Sequence, residues 1–205
     1  MKILGGKPLI QHSIDFALKN FSNKDIWVNS DDREILEFAN TNGVMTLLRP
    51  DELGNDFSST ADVLKHHANY FKRNKIVCDA IILLQPTNPF REDSLFEEAL
   101  KYFKKSERNS LATFSVSKKK LGKIENVFFK PTNYVPGQRS QDLEKLYFEN
   151  GLLYITKIDS ILDGKVITDD VYPLICNTIE STVDIDHLSD FIFAEFILKL
   201  KNERK

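Results

Sequence analysis

The feature that most constrains this fold is an alternation running through the first half of the chain, in which amphipathic stretches take turns with short apolar runs. From Pro8, the residues Ile10, Ile14, Ala17 and Phe21 recur at helical spacing, and DIWVNS (25–30) comes next as a short buried strand. DREILEFANTNG (32–43) puts Ile35, Leu36, Phe38 and Ala39 on one face and stops at Gly43, ahead of the strand VMTLL (44–48). SSTADVLKHHANYFKRN (58–74) opens on hydroxyl side chains suited to capping and closes on cations suited to a helix C-terminus. DAIILLQ (79–85) is a continuous apolar run of the kind that fills a central parallel strand. REDSLFEEALKYFKKS (91–106) and SLATFSVS (110–117) complete another helix and strand. Helices and strands in this order predict a three-layer α/β/α fold around a doubly wound, mostly parallel sheet.

The rhythm changes over 118–150, where Lys, Gly, Pro and Asn interleave with NVFF and helical character returns only over 141–147. This segment is expected to be an excursion or arm. GLLYITKIDSIL (151–162) and STVDID (181–186) return to strand character, and LSDFIFAEFILKLKNERK (188–205) closes as an amphipathic helix. A length of 205 residues suits one domain, 1–205, with the 118–150 segment inserted in it. The helix-first order is unusual, because an open parallel sheet ordinarily begins with a strand whose C-terminal loop holds ligand phosphates.

A net charge of −2 gives no general attraction to nucleic acid or anionic lipid, and the basic runs 118–120 and 199–205 read as solvated faces. No run approaches the roughly 20 apolar residues of a membrane span, and the start lacks signal-peptide architecture, so the cytoplasm is expected. Cys78 and Cys176 lack metal-ligand spacing and are expected as buried free thiols. His66 and His67 are expected on a surface helix. Neither GxxxxGK[ST] nor GxGxxG occurs, which disfavours P-loop NTPases and nicotinamide enzymes.

Three stretches carry chemistry. LLQPTNPFR (83–91) lies where an apolar strand stops, the place where open α/β sheets bind ligands, with Gln85, Thr87 and Asn88 held near the crevice by two prolines. STVDID sets Asp184 and Asp186 two apart, on one face if the segment is extended. Paired hard oxygen ligands suit Mg²⁺ bridging to phosphates; the alternative is that Asp186 caps the last helix. RPDELGNDFSSTADV (49–63) places Arg49 at a strand end, before a hydroxyl-rich helix start that could meet an anion or a base edge.

Taken in order, LGGKPLI, NSDDREI, LRPDEL, LLQPTNPFR, RSQDLEKLYFENGLLYI and VDIDHLSDF resemble the acylneuraminate cytidylyltransferases, the CMP-sialic acid synthetases, over nearly the whole chain. Enzymes that activate legionaminate and pseudaminate share the pattern. The resemblance implies a nucleotide-diphospho-sugar transferase-like fold and attack of a nonulosonic acid's anomeric hydroxyl on the α-phosphate of CTP, releasing pyrophosphate. Mg²⁺ or Mn²⁺ would sit on Asp184 and Asp186, one of which also helps deprotonate the hydroxyl. Gln85 would hold the sugar, with Thr60, Asn150 and Tyr154 nearby, and Arg49 and the backbone at Ser58 would meet the cytosine. Lys123 is a weaker match for a substrate-contacting lysine. The 118–150 segment would be a homodimerisation arm reaching the partner's active site.

Two departures accompany the resemblance. Where the family has RRQ or RQ for the sugar carboxylate, this chain has RSQ, with Ser140 at the better-matched place and Arg139 one residue earlier. The family also begins with a strand and a phosphate loop resembling PARGGSKRIPxKN, and MKILGGKPLI resembles the segment immediately after that loop. Gly5-Gly6-Lys7 is then the turn into the first helix, and a form starting at Met1 is expected to be crippled in catalysis. The alternative function is a non-catalytic nucleotide- or sugar-binding or dimerisation remnant. A third reading, a glycosyltransferase using Asp184-Ile185-Asp186 as its metal motif, suffers from that motif's position before the last helix.

Overall fold

The structure, a computed structural model, describes residues 1–54 and 58–203. Residues 55–57 of the 49–63 loop and the last two positions of the closing segment therefore lie outside the described residues. The chain opens as a hairpin of β1 (Ile3–Leu4) and β2 (Lys7–Pro8), turned by Gly5 and Gly6 at φ +59° and +81°. Two successive left-handed residues make the tight turn that antiparallel strands favour. The proline then leads into α1 (Leu9–Asn20), and β3 (Trp27–Ser30) comes after it. Asp32 caps α2 (Arg33–Thr41) by accepting from the Glu34 N–H, and β4 (Met45–Leu48) pairs parallel with β3.

Ser59 caps α3 (Thr60–Arg73) by accepting from the Asp62 N–H. Then come β5 (Ala80–Leu83), α4 (Leu95–Ser106) and β6 (Ser110–Ser117). The excursion contains a second hairpin, β7 (Gly122–Glu125) with β8 (Phe128–Pro131), turned by Asn126 and Val127 at φ +48° and +66°. It ends at β9 (Leu146–Lys157), which is followed by α5 (Ile158–Leu162), β10 (Tyr172–Ile175) and α6 (Leu188–Glu203).

Strands β10, β6, β9 and β5 form one sheet in that order, and β3 with β4 forms a separate pair. Strand β9 runs antiparallel to both β6 and β5, while β10 is parallel to β6, so every other strand of this sheet points one way. Period-2 alternation on β5 defines the layers. Ile81 and Leu83 pack with Leu64 and Ala68 of α3 and Ile161 of α5. Ile82 and Leu84 pack on the opposite side with Phe16 of α1 and Phe96 of α4. The expected α/β/α layering is thus present. Leu111, Leu153 and Ile155 are at most 1% exposed and form its centre, each contributing roughly 1.5–3 kcal/mol relative to exposure.

Several expectations need correction. DAIILLQ does not lie mid-sheet: β5 is half-buried at the end of the four-stranded sheet, beside an antiparallel neighbour. The expected helix over 141–147 is a single 3-10 turn, Ser140–Asp142, before β9 begins. KIDSIL turns helical in α5 instead of prolonging the strand. The helix expected from residue 91 starts at Leu95, because Arg91 is buried elsewhere. Cys78 and Cys176 are free but only half-buried, and burial pushes the Cys176 thiol up to about 11.

His67 is not on the surface. It is 7% exposed, with its ring edge-on to Trp27 and Phe71, and its Nε2 is buried without a hydrogen-bond partner among the described residues. Burial lowers its pKa from 6.5 to about 4. An unfolded chain therefore takes up a proton that the folded chain refuses, so stability is lost as the pH falls from about 6.5 towards 4. Complete protonation costs about 3 kcal/mol. Urea unfolding at a series of pH values is expected to show this slope, and His67→Phe to flatten it; an unchanged slope would assign the loss to other groups.

Candidate active site

The candidate site is built where β5 ends and β9 bulges. Residues Gln85 to Pro89 leave β5 through two prolines, Pro86 and Pro89, and Asn88 is 1% exposed. Its amide donates to the Asn150 carbonyl at 2.8 Å and to the Val183 carbonyl at 3.0 Å, tying three separate stretches of chain together. Thr87 Oγ1 donates to Asn88 Oδ1 at 3.2 Å, and the Ile185 N–H donates to the Thr87 carbonyl at 2.9 Å. The Asp184–Asp186 stretch is thereby docked directly on the QPTN turn.

The bulge comes from a register shift. Ala112 on β6 faces Tyr154 on β9, but Phe114 faces Glu149, so β9 carries extra residues around Asn150 and Gly151. Asn150 is buried; its amide donates to Ser115 Oγ at 3.0 Å and its Oδ1 accepts from the Leu152 N–H at 3.2 Å. Gly151 sits at φ +73°, where a Cβ would lie 2.3 Å from Asn88 Oδ1 and 2.8 Å from Gln85 Oε1. Only glycine allows Gln85, Asn88 and β9 to approach so closely. Gly151→Ala is expected to destabilise by about 2 kcal/mol or more through left-handed strain and displacement of the Asn88 amide, read as a lower urea midpoint. An unchanged midpoint would contradict the close approach.

Asp184 and Asp186 are exposed, whereas Val183 and Ile185 between and before them are buried. The expected same-side placement of the two carboxylates therefore holds, although the segment lies outside the sheet, on extended backbone after the 3-10 turn Glu180–Thr182. The Asp190 carboxylate, in the first turn of α6, accepts from the Asp186 and His187 N–H groups at 3.2 and 2.8 Å and so ties the chain entering the helix to its first turn. Partial burial and then the nearby Asp186 raise the Asp184 pKa, while hydrogen bonds from Thr87 and Asn88 oppose the rise. A carboxylate pair that resists ionising together, made wholly of hard oxygens, fits a divalent cation. Among the described residues, no group of three or more His, Cys, Asp or Glu side chains comes together, so any such ion would draw its remaining ligands from phosphate and water.

Tyr154 is 7% exposed, and burial, then Glu149, push its hydroxyl pKa up to about 12, with Asp184 adding to the rise. It is a neutral hydroxyl beside the carboxylates. Gln85, Asn150, Tyr154 and Asp184 thus lie around the same turn and bulge. Arg49 belongs to a second group at the ends of β3 and β4, where it pairs with Asp31 at 3.0 Å and its backbone N–H donates to the Ser30 carbonyl. Ser58 Oγ donates to the Glu52 carbonyl at 3.3 Å, and Thr60 is the exposed first residue of α3. Lys123 and Arg139 lie on the excursion, Lys123 exposed on β7 and Arg139 forked onto the Asp142 carboxylate at 2.7 and 3.1 Å. Lys7 of the first hairpin is engaged with Asp15, in keeping with a turn and not a phosphate loop.

Sequence reasoning missed Arg91. Its guanidinium is 7% exposed and donates to the Leu152 carbonyl at 2.6 Å, the Gln85 carbonyl at 2.8 Å and Ser13 Oγ at 3.0 Å. It fastens the QPTN turn to the bulge and to α1. An arginine among DSLFEE-type helix starters reads as a solvent-facing charge, and nothing local marks it as buried.

The sheet with helices on both faces defines an α/β/α fold. A solved structure of CMP:2-keto-3-deoxy-manno-octonic acid synthetase complexed with CTP superposes with a TM-score of 0.67 over 98% of this chain and 91% of that one, at 15% identity. A 4-diphosphocytidyl-2C-methyl-D-erythritol synthase from Anaerococcus prevotii gives 0.65 over 96% and 88%, at 13% identity. Residues 1–203 match the cytidylyltransferase family, and the chain belongs to it. It is 30% identical to an N-acylneuraminate cytidylyltransferase of Streptococcus agalactiae, over 94% of this chain and 47% of that protein. It is 28% identical to a CMP-N,N'-diacetyllegionaminic acid synthase of Legionella pneumophila, over 98% and 90%, and 27% identical to a pseudaminic acid cytidylyltransferase of Campylobacter jejuni, over 97% and 88%. The chain spans about half the length of the N-acylneuraminate cytidylyltransferases it matches.

Proposed function

We propose that this chain transfers CMP from CTP to the anomeric hydroxyl of a nonulosonic acid, an N-acylneuraminate, legionaminate or pseudaminate, with release of pyrophosphate. The observation that carries this reading is that Gln85, Asn150, Tyr154 and Asp184 gather around the QPTN turn, with Asp186 beside Asp184, in a chain whose relatives bear three nonulosonate names. Asp184 and Asp186 would hold Mg²⁺ or Mn²⁺, which neutralises charge on the phosphates. The sugar oxygen forms a bond to the α-phosphorus as the bond to pyrophosphate breaks. The hydroxyl proton would pass to a carboxylate of the pair. Gln85 and Asn150 orient the sugar, with Tyr154 a neutral donor and Thr60 nearby. Arg49 and the Ser58 backbone meet the cytosine, and Lys123 and Arg139 act on substrate from the arm. Alignment and charge neutralisation carry most of the barrier reduction.

The protein acts in this reading as a cytoplasmic homodimer joined by the 118–150 arm of a single 1–205 domain. Apolar exposure supports the arm: Ile124 is 79%, Val127 91% and Phe128 70% exposed. Ile124→Glu with Phe128→Glu is expected to halve the sedimenting mass; an unchanged mass would place the interface elsewhere. The activity itself is tested by pyrophosphate release from CTP and Mg²⁺ with N-acetylneuraminate, legionaminate and pseudaminate in parallel. One sugar is expected to support release with CTP and not with ATP or GTP. Release independent of any sugar would count against the transfer.

A further inference from the structure

Ser115, Asn150 and Ser181 are at most 4% exposed, three polar side chains gathered where β6, the β9 bulge and the 3-10 turn Glu180–Thr182 meet. Burying such groups is unfavourable unless each finds partners, and here each does. The chain leaving β10 is laid along β6 by the Cys176 N–H, which donates to the Phe114 carbonyl at 2.8 Å, and by Asn177 Oδ1, which accepts from the Val116 N–H at 2.9 Å. Between those two bonds, Ser115 Oγ donates to the Cys176 carbonyl at 2.5 Å and lies 3.1 Å from Ser181 Oγ. The Ser181 hydroxyl also reaches the Thr178 and Cys176 carbonyls, at 2.8 and 2.9 Å.

With its single proton on Cys176, Ser115 Oγ accepts from the Asn150 amide at 3.0 Å, while the oxygen of that amide accepts from the Leu152 N–H at 3.2 Å. A flipped amide would set its NH₂ group against the Leu152 N–H, so Ser115 fixes the direction in which Asn150 faces. The contacts close into a circuit. Ser181 stands two residues before Val183, whose carbonyl accepts from the Asn88 amide, and the same amide donates to the Asn150 carbonyl. Asp184 follows Val183 directly.

We propose that Ser115 and Ser181 are positioning residues for the transfer: their paired hydroxyls hold Asn150 and the Asp184–Asp186 stretch at a fixed separation, so that sugar and cation meet in register. This rests on the reaction proposed above. Both serines act through their neighbours, Ser115 through Asn150 and Ser181 through the chain leading into Val183. A buried and satisfied network of this kind rigidifies what it joins, and small displacements of reacting groups are costly in rate.

Ser115→Ala, Ser181→Ala and the double variant are compared with the wild type well below the Tm of each, with folding checked by circular dichroism. Each single variant is expected to lower kcat for CMP transfer about ten- to a hundredfold, with the KM for CTP unchanged. The double variant is expected to lose no more than the worse single one, because the pair acts as a unit. In isotope-labelled protein without substrates, Ser115→Ala is expected to shift the backbone amide signals of Asp184 to Asp186, across the circuit from β6. A kcat equal to that of the wild type in the folded variants, losses that multiply in the double variant, or unmoved Asp184–Asp186 signals would overturn the proposal. A wild type that releases no pyrophosphate with any nonulosonic acid, while those signals still move, would overturn the reaction and with it the positioning role, leaving only the hydrogen-bonded circuit established.

Discussion

Asp184→Asn is expected to lower CMP transfer about a hundred- to a thousandfold while leaving Tm at pH 7.5 unchanged or higher. In the proposed reaction the variant removes one of the two carboxylates that would hold the cation and take the proton, interactions that would be made fully only as charge develops on the transferring phosphate. The stability arm rests on the raised pKa of Asp184, whose causes are burial first and Asp186 second. A fold that raises a carboxyl pKa favours its protonated form. The associated stability is present below the ordinary pKa and is lost as the pH rises through the raised one. Asparagine keeps the neutral shape at every pH and removes the repulsion with Asp186. Loss of activity together with loss of Tm would mean that Asp184 is structural; unchanged activity would remove it from the chemistry.

Arg91→Ala is expected to cost about 3–5 kcal/mol and so about 10 °C or more in Tm. The variant strips partners from the buried carbonyls of Gln85 and Leu152 and from Ser13 Oγ, and it leaves a cavity beneath the QPTN turn. The guanidinium also lies 5.8 Å from the Phe16 ring centroid, where α1 covers it. Arg91→Lys keeps the charge but not the fork that serves three acceptors, and it should recover less than half of the loss. Full recovery by lysine would show that charge, not geometry, is what the site requires. Because the same fork positions Gln85, the surviving folded fraction is expected to show a higher KM for the sugar than the wild type, with kcat less affected.

The legible parts of this fold were those with local causes. The helices α2 and α3 announced themselves by period and by the caps Asp32 and Ser59, both of which make the expected hydrogen bonds. Asn88 and Asn150 could be singled out by sequence, but not that the amide of one donates to the carbonyl of the other across 62 positions. The direction of β9 was not legible, since an apolar run carries no sign of whether its neighbours are parallel. Nor was the β7–β8 hairpin: its apolar residues face solvent, and its turn holds Val127 in a left-handed conformation that β-branched residues avoid. Asp184 and Asp186 are both exposed on either side of buried Ile185, the alternation the sequence pattern suggested, although the segment joins no sheet. His67 was misplaced because its position on an amphipathic segment suggested solvent, and Arg91 was passed over, while tertiary packing buried both.

The most direct measurement is phosphorus NMR of a mixture of the protein, CTP, Mg²⁺ and each nonulosonic acid in turn. A new diester phosphorus signal from the CMP-sugar, growing in step with pyrophosphate and absent with Asp184→Asn, is the predicted result. Pyrophosphate accompanied by free CMP with no diester, or CTP unchanged with all three sugars while the protein remains folded, would contradict the account.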